Sequence, residues 1–207
     1  MTADHLSITH LFTDLGGVLL TNGWDRSLRE RTAEYFGVDP QQMDERHHLT
    51  YDTYESGKMG LWAYLDRVVF YEPRHFTHEQ VIEYILEQAK PFPEMIELVK
   101  ALKARHHLKV AVVSNEGREI TADRIERFGL RDFVDFFVVS SYVHFRKPDQ
   151  DIFRVALDIA QADPHRVAYI EDRPMFVEVA AEVGLRAIWH RGIDSTREAL
   201  AEMGLTS

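Results

Sequence analysis

The sequence predicts an α/β protein: a Rossmann-like parallel sheet core with helices on both faces, plus a small all-helical cap inserted after the first strand. Two patterns support this fold class. After Pro93, short apolar runs alternate with longer amphipathic segments, which is typical of βαβ units around a parallel sheet buried on both faces. From residue 21 to 92, helix signals follow one another without strand-like alternation. The predicted core is therefore 1–20 with 93–207, and the predicted cap is 21–92.

The first strand is the apolar-rich run that ends at Asp14, and the cap follows it. The cap is predicted from helix start and stop signals: Asp25 and Asp39-Pro40 as helix starts, Gly37 after a helix, and Thr77 with Gln80 as a capping box. Two further glycines, Gly57 and Gly60, separate the helices in the middle of this segment. Pro91 and Pro93 end the last one.

The core continues as alternating helices and strands. Strands are predicted over 108–113, 133–139, 167–170 and 186–189, and helices around 95–102 and over 118–128, 151–160 and 175–183. Active sites of such sheets lie outside the carboxyl ends of the strands. The polar residues expected together at that rim are Asp14, Ser114-Asn115, Ser140-Ser141 and Glu171-Asp172.

Composition narrows the classes of function. With 207 residues and 45% hydrophobic content, the chain can form one sizeable domain or a core with an insertion. A net charge of −10 without a basic stripe argues against nucleic-acid or anionic-membrane binding. The absence of cysteine excludes disulfides and thiolate chemistry. The first six residues lack a signal-peptide pattern and no apolar run spans a bilayer, so we expect a cytoplasmic protein whose oligomeric state the sequence leaves unknown.

Asp14 is the first candidate for chemistry. A carboxylate at the end of a buried strand is costly unless it is compensated, and Gly16 and Gly17 would let backbone N–H groups approach an anion. The alternative is an ordinary strand-to-helix turn. Similarly, Ser114 can donate to a phosphate oxygen or simply cap a helix, and Lys147 can neutralise anions at the rim or be a solvated lysine.

Glu171-Asp172 carries a stronger signal. Two adjacent acids at a buried strand end repel each other and need a cation. Magnesium prefers oxygen ligands and is typically held by a few carboxylates together with substrate phosphate. The pair therefore predicts a Mg²⁺ site.

Taken in order along the chain, these motifs resemble those of the haloacid dehalogenase-like (HAD) superfamily of hydrolases. The four motifs are Asp14-Leu15-Gly16-Gly17-Val18-Leu19, Ser114-Asn115, Arg146-Lys147-Pro148-Asp149 with Ile152-Phe153, and Ile170-Glu171-Asp172 with Ala180-Ala181 and Gly184. The helical insertion resembles the cap found in one large branch of this family, and 55–59 is similar to a turn often seen within that cap.

The resemblance implies a role for each site residue. Asp14 would be the nucleophile that forms an aspartyl-phosphate. Ser114 and the amide of Asn115 would hold phosphate oxygens, and Lys147 would bridge the nucleophile and the phosphate. Magnesium would be bound by Asp14, the backbone carbonyl of Gly16, Glu171 and Asp172.

One departure from the family pattern affects the choice of function. Most family phosphatases carry a second aspartate two residues after the nucleophile, as general acid and base, where this chain has Gly16. Sugar-1-phosphate phosphatases are among the members that share this Asp-x-Gly pattern. Three functions are compatible with this pattern. The first is a magnesium-dependent phosphatase of a small phosphorylated metabolite, for example a sugar 1-phosphate. The second is a metal-independent 2-haloacid dehalogenase, and the third is a non-catalytic phosphate-ligand binding protein. The acid pair Glu171-Asp172 favours the first.

Other tempting residues carry weaker signals. His47-His48 and His106-His107 are adjacent pairs, and adjacent residues on a helix do not share a face, so they do not favour a metal site. Trp24 lies at the predicted junction of core and cap, where it either packs a hinge or lines the pocket. Arg173 follows the acid pair directly and could reach the substrate or shield the two acids.

Overall fold

The computed structural model describes residues 7–207 and is built on a five-stranded parallel sheet. The strands are β1 (His10–Thr13), β2 (Lys109–Ser114), β3 (Phe136–Val139), β4 (Val167–Glu171) and β5 (Arg186–Trp189). Their order across the sheet is β3-β2-β1-β4-β5, with His10 paired to Lys109 on one side and to Val167 on the other. The order reverses at β1, which is the position where such sheets form a ligand crevice.

Ten α-helices accompany these strands within the described residues. They are α1 (Arg26–Phe36), α2 (Pro40–Glu55), α3 (Leu61–Val68), α4 (His78–Glu87), α5 (Pro93–His106), α6 (Arg118–Arg127), α7 (Ser140–Val143), α8 (Asp151–Ala160), α9 (Pro174–Glu182) and α10 (Ile193–Glu202). None of them, over 7–207, is long and apolar enough to cross a membrane. The signal-peptide prediction concerns residues 1–6, which lie outside the described part.

Both faces of the sheet are covered by helices, which confirms the predicted fold class. Because side chains alternate along a strand, Leu11 and Val112 belong to the apolar cluster on one face, whereas Phe12 and Val113 belong to the other. Helices α5 and α10 pack on the first face, and α8 and α9 on the second. This two-sided burial explains why the strands read as continuous apolar runs.

The segment between β1 and α5 contains α1 to α4 and has an apolar cluster of its own. Its helices begin and end at the predicted signals: Asp25 accepts from the Leu28 N–H, Gly37 is left-handed at φ 65°, and Thr77 forms the capping box. We propose that residues 21–92 form a cap domain, as the sequence predicts. Its separate hydrophobic cluster supports that division.

The two chain segments that join the cap to the core pair with each other. The Thr21 N–H donates to the Lys90 carbonyl at 2.9 Å, and the Phe92 N–H donates to the Leu19 carbonyl at 2.8 Å. Leu20 and Pro91 lie opposite each other in this short antiparallel ribbon. We call these residues, 19–21 with 90–92, the hinge ribbon.

The structure differs from the predicted elements in three places. The predicted strand 133–139 begins only at Phe136, because a one-turn 3-10 helix (Leu130–Asp132) precedes it and the buried Phe133 and Val134 owe their apolar character to packing. Helices α7 and α10 were not predicted. The first is a single turn, and the second follows the last strand, where the predicted βαβ alternation stops.

A buried ion pair lies where the cap meets the core. Arg124 of α6 is fully buried, and its guanidinium donates to both Glu116 and the Thr21 carbonyl of the hinge ribbon. Gly23 packs so closely on this pair that a side chain there would collide with Glu116. Burial raises the pKa of Glu116, and the neighbouring Arg124 opposes that shift. The pair therefore ties the hinge ribbon to the start of α6.

We predict that Arg124→Met lowers the free energy of unfolding by about 3–5 kcal/mol, because it leaves the buried Glu116 carboxylate without its partner. The double variant Arg124→Met, Glu116→Leu should regain much of that loss, since an apolar pair replaces the ion pair. Urea unfolding at pH 7 measures both. Equal destabilisation of the single and the double variant would show that the charge pairing is not the cause.

Candidate active site

The candidate site lies at the carboxyl ends of β1 and β4, where the strand order reverses. Asp14 follows β1 directly, and its N–H donates to the Ile170 carbonyl of β4 at 2.9 Å. Glu171 ends β4 and Asp172 follows it. The short distance between these neighbouring strands therefore brings the three predicted carboxylates together.

The Lys147 ammonium lies among these carboxylates. Its Nζ is 3.1 Å from Asp14 Oδ1 and 2.6 Å from Glu171 Oε2. It also donates to the Tyr169 hydroxyl at 3.0 Å and to the Val113 carbonyl at 3.2 Å. Lys147 is only 1% exposed, so it is not the solvated lysine that the sequence also allowed.

Burial and charge act in opposite directions on these groups. Burial raises the pKa of Asp14, and the Lys147 ammonium opposes that change. For Lys147, burial alone would lower the pKa, but the Asp14 and Glu171 carboxylates outweigh it and the pKa is raised. The ammonium therefore stays charged and is available to neutralise an anion that binds beside Asp14.

The carboxylates fit a divalent cation. Asp14, Glu171 and Asp172 each offer one oxygen, and these oxygens lie within 4.8 Å of one another. Asp172 Oδ1 is buried and has no hydrogen-bond partner among the described residues. Three carboxylates and one ammonium leave a formal charge of −2, which one divalent cation cancels. Magnesium accepts oxygen ligands of this kind.

The absence of a side chain at Gly16 and at Gly17 has a different structural reason at each position. Gly17 has φ 78°, and a side chain on it would collide with the Asp172 carboxylate. Its N–H donates to the Leu20 carbonyl at 2.7 Å, and the phosphate contact of Gly17 stays a prediction. A Cβ on Gly16 would lie 2.8 Å from Asn22 Oδ1. The Asn22 side chain thus lies beside the position that a second aspartate would need.

Ser114 and Asn115 lie where the sequence predicts, at the end of β2. Ser114 is buried at the rim and lines the same cleft as Asp14. The Asn115 side chain holds the backbone of Lys147 through two hydrogen bonds, its Nδ2 donating to the carbonyl at 2.7 Å and its Oδ1 accepting from the N–H at 2.8 Å. Its amide group therefore positions the lysine, a role that the sequence did not reveal.

A cleft of about 420 Å³ lies over these residues and is closed on the far side by the cap. The cap contributes Trp24, Arg29, His47, Tyr51, Tyr54 and Glu55 to its lining. Arg146 of the core, next to the site lysine, pairs with Asp52 at 2.6 Å and with Glu55 at 2.7 Å. The end of α2 is thus docked against the loop that carries Lys147.

Ser140 and Ser141, predicted at the rim, serve this docking instead. The Ser140 hydroxyl donates to the Glu55 carbonyl at 2.7 Å. Gly57, with φ 69°, packs directly on the Ser141 carbonyl, where a side chain would collide. This contact gives a physical reason for the glycine in the turn 55–59. The contacts of Arg146 and Ser140 with Glu55 could not be predicted from sequence, because the partners lie roughly ninety residues apart in the chain.

The family model for haloacid dehalogenase-like hydrolases matches residues 8–184. The pyrimidine 5'-nucleotidase YjjG of Escherichia coli (strain K12) is 33% identical over 96 residues, which are 46% of this chain and 42% of the nucleotidase. This chain thus matches less than half the length of that curated relative.

Solved structures share the fold. A HAD family enzyme of Bacteroides thetaiotaomicron, bt-2542, in complex with magnesium and inorganic phosphate, has a TM-score of 0.75 and 20% identity over 89% of this chain and 95% of that chain. The L-2-haloacid dehalogenase of Xanthobacter autotrophicus has a TM-score of 0.63 and 19% identity over 94% of this chain and 81% of that chain. Both likenesses concern the fold.

We predict that millimolar Mg²⁺ raises the melting temperature, because it binds the folded carboxylate cluster and relieves its repulsion; saturation a hundredfold above Kd is worth about 2.7 kcal/mol. Asp172→Ala should abolish the shift. Glu178→Ala removes an exposed acid on α9 and is the matched control, which should keep it. Thermal unfolding with and without chelator measures the effect. If the melting temperature of Asp172→Ala still rises with Mg²⁺, the ion binds at a different site.

Proposed function

The chain belongs to the haloacid dehalogenase-like hydrolase family, and we propose that it is a magnesium-dependent phosphatase that hydrolyses a small phosphorylated metabolite in the cytoplasm. One observation carries this proposal: a charged, buried lysine lies between Asp14 and an acid pair whose Asp172 Oδ1 has no partner within the described residues. Such a site offers a nucleophile, a fixed positive charge and oxygen ligands for a cation. Phosphoryl transfer needs these groups, together with in-line positioning.

In the proposed reaction, an oxygen of Asp14 attacks phosphorus, the bond from phosphorus to the alcohol oxygen breaks, and an aspartyl-phosphate forms. The departing oxygen takes its proton from water, since Gly16 offers none. Lys147 limits the repulsion between the Asp14 carboxylate and the incoming phosphate. Ser114 and the backbone N–H of Asn115 hold phosphate oxygens. Water then attacks the aspartyl-phosphate, releasing inorganic phosphate and restoring the Asp14 carboxylate.

Asp14, the Gly16 carbonyl, Glu171 and Asp172 are the proposed ligands of magnesium. When bound, the cation would supply neutralisation of the charge that develops on the phosphoryl oxygens. Glu171 also accepts from Lys147 and from the Tyr169 hydroxyl through Oε2, at 2.6 Å each, which fixes its carboxylate at the rim. Oε1 accepts from the Arg173 N–H at 3.1 Å. Glu171 thus orders the cluster even where it does not bind the metal directly.

The activities of similar proteins support the phosphatase proposal. YjjG is a pyrimidine 5'-nucleotidase, and the Bacteroides enzyme binds magnesium and phosphate. The second candidate is a metal-independent 2-haloacid dehalogenase, favoured by the absence of a carboxylate at Gly16 and by the Xanthobacter likeness. The acid cluster weighs against it, because halide departure needs no cation. A binding protein without turnover is the third outcome, and the experiments below separate all three.

We predict that Asp14→Asn abolishes turnover and preserves the fold, since the amide is nearly isosteric but a far weaker nucleophile. The assay is phosphate release from a panel of phosphorylated metabolites and aryl phosphates, with magnesium or with chelator, alongside 2-chloropropionate. More than a few per cent of wild-type activity in the variant would remove Asp14 from this role. Chloride release in chelator would identify a dehalogenase, and inactivity of the wild type on every compound would identify a binding protein.

The absence of a carboxylate at Gly16 leads to a further prediction. Without a general acid, the departing oxygen leaves more easily when its conjugate acid is stronger, so the enzyme should prefer a sugar 1-phosphate to the corresponding 6-phosphate and turn over aryl phosphates readily. A general acid is typically worth about 10²–10⁴ in rate. A series of aryl phosphates should therefore show a steep dependence of kcat/KM on leaving-group acidity.

Gly16→Asp should flatten that dependence if the new carboxyl reaches the leaving oxygen. The Asn22 side chain lies beside the required Cβ position, so the double variant Gly16→Asp, Asn22→Ala provides the space that the single variant lacks. Asn22→Ala alone is the control. A flat profile in the wild-type enzyme would mean that another proton donor is present.

A further inference from the structure

A buried hydrogen-bond chain runs from the cap junction to the wall of the cleft. Trp24 Nε1 donates to the Tyr64 hydroxyl at 2.7 Å, and the same hydroxyl lies 2.7 Å from His47 Nδ1. Tyr64 is fully buried, and His47 is 7% exposed. Trp24 is partly buried and lines the cleft. The Tyr64 hydroxyl in the middle of the chain is therefore enclosed by protein.

The donor capacity of each group determines where the protons lie. The Trp24 indole N–H can only donate, so the Tyr64 oxygen accepts from it. The Tyr64 hydroxyl proton needs an acceptor of its own, since a buried donor without a partner is costly. Within the described part of the chain, His47 Nδ1 is the acceptor in reach. Nδ1 must therefore be unprotonated, and the imidazole carries its proton on Nε2.

The surroundings keep this imidazole neutral. Burial lowers the pKa of His47 to about 3, the positive charges of Arg29 and His48 act in the same direction, and Asp44 opposes them. Burial also raises the pKa of Tyr64, so its hydroxyl remains a donor. At neutral pH, His47 is thus a fixed, uncharged N–H donor.

Nε2 faces away from Tyr64, because the two ring nitrogens lie on different sides of the imidazole. The His47 ring lines the cleft that also contains Asp14, and Nε2 has no hydrogen-bond partner in the described residues. Tyr51 stacks on the ring at a centroid distance of 5.0 Å and holds its orientation. The cleft therefore has a preorganised donor on its cap side.

The charges on the cap side of the cleft are already paired. Arg29 donates to Asp44 at 3.0 Å, and Arg26 pairs with Glu30 at 2.9 Å. Glu55, also in the lining, pairs with Arg146. On the cap side, a second anionic group on a ligand would meet the Glu55 carboxylate and cations that already have carboxylate partners, whereas Arg173, on the core side of the cleft, has no ion-pair partner among residues 7–207. An uncharged oxygen suits this wall better.

We propose that the His47 Nε2–H binds an uncharged oxygen, a hydroxyl or a carbonyl, on the alcohol portion of the phosphate monoester. This inference rests on the proposed phosphatase function and narrows the substrate class to monoesters whose alcohol portion carries a hydroxyl or a carbonyl oxygen facing the cap. His47 is a substrate-binding residue here, and Tyr64 and Trp24 are positioning residues that set its tautomer.

The tautomer is tested by NMR of protein labelled with ¹⁵N in its histidines, with His47 assigned by the loss of its signals in His47→Gln. The expected result is a neutral Nε2–H imidazole from pH 8 down to pH 5. Tyr64→Phe should abolish this preference and let the imidazole titrate at higher pH. A wild-type His47 that carries its proton on Nδ1, or that becomes charged above pH 5, would overturn the proposal.

Recognition is tested by kinetics of His47→Leu and His47→Gln. Glucose 1-phosphate offers hydroxyl groups and phenyl phosphate offers none, so the ratio of their kcat/KM values isolates the contact. Loss of one neutral hydrogen bond should lower that ratio about 3- to 10-fold in His47→Leu, chiefly through KM. His47→Gln, whose amide N–H reaches nearly the same place as Nε2–H, should restore most of it.

The outcomes separate the two hypotheses. If the wild type hydrolyses phosphates but His47→Leu keeps the wild-type ratio, the binding role of His47 is wrong and the phosphatase function stands. A wild type that hydrolyses no phosphate refutes the function. In that case, binding to His47 is measured as a change in its ¹⁵Nε2 chemical shift when glucose 1-phosphate is added. An unchanged shift would refute the binding role of His47 as well.

Discussion

The ammonium group of Lys147 lies between the carboxylates of Asp14 and Glu171, and the charge balance of the rim depends on it. Its contacts extend to β1, β2 and β4, the three adjacent strands at the centre of the sheet. A buried carboxylate without such a partner would protonate, and a protonated Asp14 would be a poor nucleophile. The Asn115 amide, which holds the backbone of this lysine from two sides, is therefore part of the electrostatic design of the site.

The cap has a direct mechanical link to that site. One helix, α2, carries His47 in its middle and Asp52 and Glu55 near its end, where Arg146 docks them beside Lys147. A movement of α2 changes the ligand-binding wall and the core contact together. Opening of the cap would also require Arg146 to give up two carboxylates, so a closed cap is stabilised by groups adjacent to the proposed reaction centre.

The sequence was sufficient to predict the parallel sheet and the meeting of Asp14, Glu171 and Asp172 at one edge of it, because both depend on local signals. Apolar runs, capping residues and acids at strand ends are all readable over a few positions. Contacts between distant segments were not readable: Arg124 with Thr21, Ser140 with Glu55, and His47 with Tyr64 join residues with no local pattern in common. His47 looked unpromising in sequence as one of an adjacent pair, and only its position against Tyr64 and the cleft gave it a role.

The hinge ribbon has a consequence for how this architecture arises and changes. Since the incoming and outgoing segments of the cap, 19–21 and 90–92, are already hydrogen-bonded to each other, the core presents two closely spaced chain ends to whatever is inserted between them. Insertions are tolerated best where the two ends lie close together at the surface. A gene rearrangement that shortened, lengthened or exchanged the inserted segment would leave the five strands and the candidate active site at their rim in register. The fold is thus arranged so that substrate preference can diverge while the chemistry is inherited unchanged.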